Sequence, residues 1–89
     1  MNYETNIDNF SFRLYPNPNS GSFRIEFDNK ATTKINLEIY SLLGEKIYEK
    51  AGFSPLNSSE IDLSGFPKGI YLVKTIVGEK IYSDKIIIQ

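Results

Sequence analysis

Apolar and polar residues alternate over several short stretches of the chain, which is the pattern of half-buried β-strands. The clearest example is SFRIEFD at residues 22–28, and residues 34–40 and 60–64 alternate in the same way. Residues 70–77 are rich in β-branched and aromatic side chains. We expect this last stretch to be a strand that is covered along much of its length.

Turn-forming residues separate these stretches. Proline, glycine, asparagine and serine concentrate at residues 16–21, 52–58 and 65–68. Gly78 followed by Glu79 suits a two-residue type II′ hairpin turn. Short strands divided by turns at this density predict an all-β fold, an antiparallel sandwich or barrel.

Residues 34–50 also fit a second interpretation, because their apolar positions would share one face of a helix. Gly44 would cost such a helix about 1 kcal/mol relative to alanine, and the β-branched and aromatic residues on both sides of it favour strands. We therefore predict a hairpin that turns at Leu43, Gly44 and Glu45.

The composition narrows the possible functions. The chain has 89 residues, enough for one small domain, and contains neither cysteine nor histidine. Disulfides, thiolate chemistry, Ser-His-Asp or Cys-His catalysis and zinc hydrolysis are therefore excluded within it. Ten Lys plus Arg against eleven Asp plus Glu, without clusters of either sign, leave no basic stripe for nucleic acid. We expect no enzyme, no cofactor and no metal, since Asp28 and Asn29 lack the acidic repeat of a calcium site.

Residues 1–11 are polar and have no periodicity, so we interpret them as a linker before a domain at residues 12–89. They lack the basic and apolar parts of a signal peptide. No apolar run approaches the roughly 20 residues that span a bilayer. We expect a fragment from the C-terminal end of a longer protein.

Two of the four prolines fall in the sequence YPNPNSG. Pro16 and Pro18 fix their own φ at about −65° and favour extended backbone at Tyr15 and Asn17. The segment therefore predicts a stiff, polyproline-like corner that cannot continue a strand ladder. This corner either connects two strands or is itself a recognition element, and the residues alone leave both roles open.

Two further stretches carry interpretable signals. Tyr71 follows a turn and lies just inside a strand, where we expect its ring to be buried and its hydroxyl to bond nearby backbone. The chain ends in SDKIIIQ, and its isoleucines would favour aggregation if they were exposed. We predict a final strand with at least one buried face. As a sheet edge it would favour docking by strand addition.

Taken in order, these elements resemble the C-terminal sorting domain of the type IX secretion system of Bacteroidetes. The resemblance covers roughly residues 12–89 and rests on a YPNP element, a glycine before an apolar strand, a hairpin around a glycine, an L-x₅-G-x-Y-x-V element and a lysine before a short apolar end. Gln89 departs from the basic residue that often ends the family. The matching residues are Tyr15, Pro16, Asn17, Pro18, Gly21, Phe23, Gly44, Leu63, Gly69, Tyr71, Val73, Lys85, Ile86, Ile87 and Ile88.

The resemblance implies an immunoglobulin-like sandwich of about seven antiparallel strands. It implies a signal that directs a fused N-terminal cargo from the periplasm across the outer membrane, to the cell surface or the medium. The implied partners are an outer-membrane translocon, its shuttle protein and a cell-surface sortase that cleaves within residues 1–11. Our hypothesis assigns recognition to Tyr15, Pro16, Asn17, Pro18, Lys85, Ile86, Ile87, Ile88 and Gln89, and structural roles to Gly21, Phe23, Gly44, Leu63, Gly69, Tyr71 and Val73.

Two other interpretations stay open. A carbohydrate-binding or adhesive accessory module could use Tyr40, Tyr48 and Tyr82 as a sugar-stacking platform, although strand tyrosines are common for structural reasons. An immunoglobulin-like spacer domain would need no recognition site.

Overall fold

The computed structural model describes residues 12–27, 35–53 and 59–89. These ranges form seven strands and contain no helix, so the all-β prediction is confirmed, and the helical alternative is excluded over residues 35–50, the part of that segment that the structure describes. Accordingly, none of the described ranges provides a helix that could cross a membrane. The strands are β1 (Phe12–Tyr15), β2 (Ser22–Phe27), β3 (Ile35–Ser41), β4 (Lys46–Phe53), β5 (Ser59–Asp62), β6 (Gly69–Val77) and β7 (Lys80–Ile88).

The strands form two antiparallel sheets that pack as a sandwich. One sheet has the order β1-β2-β5 and the other the order β4-β3-β6-β7. Every strand pair is antiparallel. Strands β1 and β7 are therefore edge strands of different sheets, and this places the two ends of the described chain at sheet edges.

The core lies between the two sheets and is filled by the alternating apolar positions that the sequence pattern identified. In β2 and β3 every second side chain is buried, and its polar neighbours face outward. Each fully buried aliphatic or aromatic side chain contributes roughly 1.5–3 kcal/mol. The core residues are Leu14, Phe23, Ile25, Leu37, Ile39, Ile61, Leu63, Tyr71, Val73, Ile86 and Ile88.

Both predicted hairpins are present. Strands β3 and β4 turn beside Gly44, whose N–H donates to the carbonyl of Ser41 at 2.9 Å. Strands β6 and β7 turn at Gly78 and Glu79. Gly78 has a φ of +62° and Glu79 a negative φ, as a type II′ turn requires.

Several predictions lie outside the described residues. They are the linker and cleavage region at residues 1–11, and the expectation that Asp28 and Asn29 form no calcium site. Among the residues that are described, no group of three or more acidic side chains is arranged to hold a metal ion.

Candidate recognition site

The loop between β1 and β2, residues 16–21, lies against the C-terminal end of β7. The backbone N–H of Asn19 donates to the carbonyl of Ile87 at 2.9 Å, and its carbonyl accepts from the N–H of Gln89 at 2.8 Å. The two segments thus form a short parallel bridge between Asn19 and Ile88. Because β1 and β2 belong to one sheet and β7 to the other, this bridge joins the two sheets at one corner of the sandwich.

Asn17 extends this contact through its side chain. Its Oδ1 accepts from the N–H of Ile87 at 3.0 Å, and its Nδ2 donates to the carbonyl of Lys85 at 3.0 Å. A carboxamide offers the same donor and acceptor as a peptide unit. Asn17 therefore pairs with the outer edge of β7 in the way that a neighbouring strand would.

Asn19 fixes the shape of the loop itself. Its side chain is buried, with Nδ2 donating to the carbonyl of Pro16 at 3.0 Å and Oδ1 accepting from the N–H of Gly21 at 2.7 Å. Both X–Pro bonds in the loop are cis. Residues 16–18 do not continue a strand, as predicted, and hydrogen bonds of Asn17 and Asn19 hold the loop against β7.

Gly21 connects the same loop to the end of β5. Its carbonyl accepts from the N–H of Leu63 at 2.6 Å. A Cβ at Gly21 would lie 2.8 Å from the Cα of Ser64, and its φ of +129° lies in the region that disfavours other residues. Only glycine fits this close backbone approach without a shift of the neighbouring loop.

The terminal strand is an edge strand with one buried face, as predicted. Ile86 and Ile88 are buried, whereas Ile87 is 37% exposed. The expectation that strand addition could occur at this end needs correction. Both outward backbone groups of Ile87 are already bonded to Asn17 and Asn19, so a partner strand would have to displace them.

The structure brings the two predicted recognition stretches together at this corner. Tyr15, Pro16, Asn17 and Pro18 are exposed, and so is Lys85. We call this surface the terminal corner; its exposed residues are Tyr15, Pro16, Asn17, Pro18, Lys85, Ile87 and Gln89. The side chains of Ile86 and Ile88 point inward and support the corner without facing a partner.

The residues assigned structural roles lie in the core or at turns. Phe23, Leu63 and Val73 are buried. Tyr71 is buried as well, and its hydroxyl donates to the carbonyl of Pro67. The tyrosine thus fixes the turn before β6, which agrees with the prediction from its position after that turn. Gly69 is the first residue of β6.

One exposed apolar feature was missed by the sequence reasoning. Leu42 and Leu43 lie at the β3–β4 turn with 70% and 97% of their surface exposed. Together with Phe66 and Ile70 they line a cleft of about 430 Å³. Two leucines beside a turn glycine, where polar residues are usual, were the signal that could have identified this cleft.

The structure does not assemble the tyrosine platform of the carbohydrate-binding alternative. Tyr48 packs against the core. Tyr82 pairs with Thr75, whose side chain is fully buried, and therefore lies on the inward face of its sheet. Tyr40 donates its hydroxyl to Glu38 at 2.6 Å, and this hydrogen bond raises the pKa of Tyr40. The three rings do not share one face.

Comparison with known proteins decides the family. Residues 13–89 match the profile of the family described as the secretion system C-terminal sorting domain. The chain belongs to this family. The sorting domain is a type IX secretion signal and not a catalytic domain, and it directs export toward the cell surface or the medium.

A curated relative shows how such a sorting domain is used. The chain is 32% identical over 81 residues to an ulvan lyase of Nonlabens ulvanivorans. The match covers 89% of this chain but only 14% of that protein. In the relative, a cargo enzyme thus carries the sorting domain as a small part of its length.

Proposed function

We propose that this sorting domain directs a fused N-terminal cargo from the periplasm through an outer-membrane translocon, with a shuttle protein receiving it. A cell-surface sortase then cleaves within residues 1–11, the linker before the domain at residues 12–89. Family membership over residues 13–89 supports this proposal. The arrangement of the ulvan lyase, in which the matched part is a minor share of a larger protein, supports it as well.

We propose that the export machinery recognises the terminal corner. The supporting observation is the set of hydrogen bonds that Asn17 and Asn19 make to β7. These bonds hold two stretches about 70 residues apart in one fixed arrangement. A sorting signal must present a constant surface whatever its cargo, and a surface built from both stretches exists only in the folded domain.

The residues of the corner divide into two roles. Tyr15 and Lys85 have exposed side chains and are the proposed contacts with the partner. The Tyr15 ring lies 6.0 Å from the guanidinium carbon of Arg13. Asn17 and Asn19 are positioning residues, because their hydrogen bonds go to backbone within the domain itself.

A secretion assay tests the proposed function. The chain is fused to the C-terminus of a fluorescent protein that carries a periplasmic signal, in a bacterium with a type IX secretion system. We expect fluorescence at the cell surface or in the medium. A spacer domain or a carbohydrate-binding module would leave the reporter in the periplasm, and that result would count against the proposal.

Lys85→Ala tests whether the export machinery contacts the terminal corner directly. The side chain is exposed and makes no ion pair within the described residues, so the melting temperature should change by less than about 3 °C, which corresponds to roughly 0.5 kcal/mol. Export of the reporter should nevertheless fall several-fold.

Lys80→Ala, at the other end of the same strand, is the matched control and should be exported normally. Equal export of the two variants would show that the charge at Lys85 is not part of the signal.

A further inference from the structure

The outer edge of β7 is open between the terminal corner and the β6–β7 turn. Ile87 directs its backbone groups outward to Asn17 and Asn19, and alternate residues of a strand direct theirs the same way. Ser83 and Ile81 therefore also direct their N–H and carbonyl groups away from β6. In the described ranges, no hydrogen bond engages these outward groups of either residue.

A cleft adjoins this open edge. It has a volume of about 500 Å³ and lies between β1 and Asp84 of β7. A strand added beside β7 would project every second side chain toward the opposite sheet, and thus toward this cleft. Phe12 and Leu14 supply apolar surface there, and Arg13, Tyr15 and Glu26 complete the lining.

The charges of the cleft favour a cation. Arg13 is neutralised by Glu26, with Nη2 and Oε1 2.7 Å apart. Asp84 accepts a hydrogen bond from the N–H of Lys85 at 2.8 Å. Over the ranges that the structure describes, Asp84 forms no ion pair, so its carboxylate remains available to a partner's Lys or Arg.

We propose that the edge of β7 at Ile81 and Ser83 is a binding site for an extended peptide segment of a partner protein, paired by strand addition, with a basic side chain placed against Asp84. Backbone pairing supplies the attachment, and the cleft with Asp84 supplies the selectivity. This site shares only Tyr15 with the terminal corner, and the proposal does not depend on recognition of the corner by the export machinery.

A second copy of the chain fits this edge less well. Antiparallel pairing of two β7 strands around Ser83 would place Tyr82 of one copy opposite Asp84 of the other. Both residues lie on the inward face, because they alternate with Ser83 and share the face of buried Ile86. This arrangement brings no cation to Asp84, so we infer a hetero-partner.

Two synthetic peptides test the proposal, TVTRTVT and TVTETVT, each capped at both ends. They have the same strand propensity and differ only in the charge of the central inward residue. Titrations of the ¹⁵N-labelled domain are followed by NMR. We expect shifts at the amides of Ile81 and Ser83, with the arginine peptide binding at least about threefold more tightly, as for a partly exposed ion pair.

Variants at Ser83 and Asp84 test the proposed site further. Ser83→Pro removes an outward N–H that takes no part in the β6 ladder, so the domain should stay folded and lose the peptide. Ser83→Ala is the matched control and should bind like the natural chain. Asp84→Asn should make the affinities for the two peptides equal.

Three results would overturn the proposal. The first is absence of shifts at Ile81 and Ser83 with the arginine peptide. The second is equal affinity of the natural chain for the two peptides. The third is a dimer in analytical ultracentrifugation that Ser83→Pro dissociates, which would identify a second copy as the occupant of the edge.

Discussion

The two halves of β7 differ in whether their outward backbone groups are hydrogen-bonded. Both lie at the edge of one sheet, and edge strands tend to pair with other chains. Toward the C-terminus, Asn17 and Asn19 bond the outward groups of Ile87. Around Ser83 the outward groups have no such partners in the described ranges. The C-terminal end of β7, which carries two core isoleucines, is therefore hydrogen-bonded within the domain. The middle of the strand remains available for pairing with another chain.

The bonded end of β7 explains why the prolines and the chain terminus belong to one surface. The loop at residues 16–21 bonds both the end of β7 and Leu63, just after β5. A change in the loop therefore alters the position of the terminus, and loss of the terminus leaves the loop's donors and acceptors unpaired. In this corner, stability and recognition share residues and have to be separated by matched variants.

The largest expected effect on stability comes from the buried face of the C-terminal half of β7. Ile86→Ala removes a fully buried side chain and should lower the free energy of unfolding by about 2–5 kcal/mol, through lost burial and the cavity that remains. Ile87→Ala is the matched control. Because Ile87 points outward, its truncation should cost less than about 1 kcal/mol. Urea denaturation followed by circular dichroism measures both, and equal losses would contradict the assignment of faces.

The second largest expected effect on stability distinguishes Asn19 from Asn17. Asn19→Ala removes two side-chain hydrogen bonds at a residue that is 8% exposed, and should cost about 2–4 kcal/mol because buried groups lose their partners. Asn17→Ala removes two hydrogen bonds that are exposed to solvent and should cost only about 1 kcal/mol.

Thermal melts of the two variants give this ranking. Export of the reporter should fall with Asn17→Ala by more than its small loss of stability explains, since the terminus is no longer held. If Asn17→Ala were the more destabilising of the two, the division between a buried positioning residue and an exposed one would be wrong.

The smallest expected effect on stability comes from the carboxylate of Asp62, close to Gly21. Hydrogen bonds from the hydroxyl and the backbone N–H of Ser64 lower the pKa of Asp62 below its ordinary value of 3.8. The charged carboxylate is thus favoured in the folded state. Its stabilising contribution is present above pH 3.8 and is lost as the pH falls through the lower folded pKa.

Asp62→Asn tests this linkage. The natural chain should melt slightly higher than the variant at neutral pH, and the gap should close as the pH is lowered below 3.8. Melting temperatures measured between neutral pH and the acid limit of folding give the comparison. A gap that widened on acidification would mean that the pKa of Asp62 is raised in the folded domain.

Much of the fold was predictable because its signals are local. Alternation marked the strands, Gly78 and Gly44 marked the hairpins, and the position of Tyr71 after a turn predicted its burial. Each of these inferences needs only a few consecutive residues. The family resemblance placed the same elements in order along the chain.

The arrangement of the candidate site was not predictable in the same way. The bond between Asn17 and Ile87 joins residues 70 apart in sequence, and nothing local to either residue indicates the other. The prolines correctly indicated a constrained loop, but its direction depends on side-chain bonds made by Asn17 and Asn19. The leucines at the β3–β4 turn were assigned to a hairpin without their exposure being anticipated.

Residue-resolved hydrogen exchange of the isolated chain tests most directly the claim that β7 is closed at its end and open in its middle. We predict that the amides of Ile87 and Gln89, which donate to Asn17 and Asn19, exchange at least about tenfold more slowly than those of Ile81 and Ser83. Equal exchange rates at these four amides would contradict it.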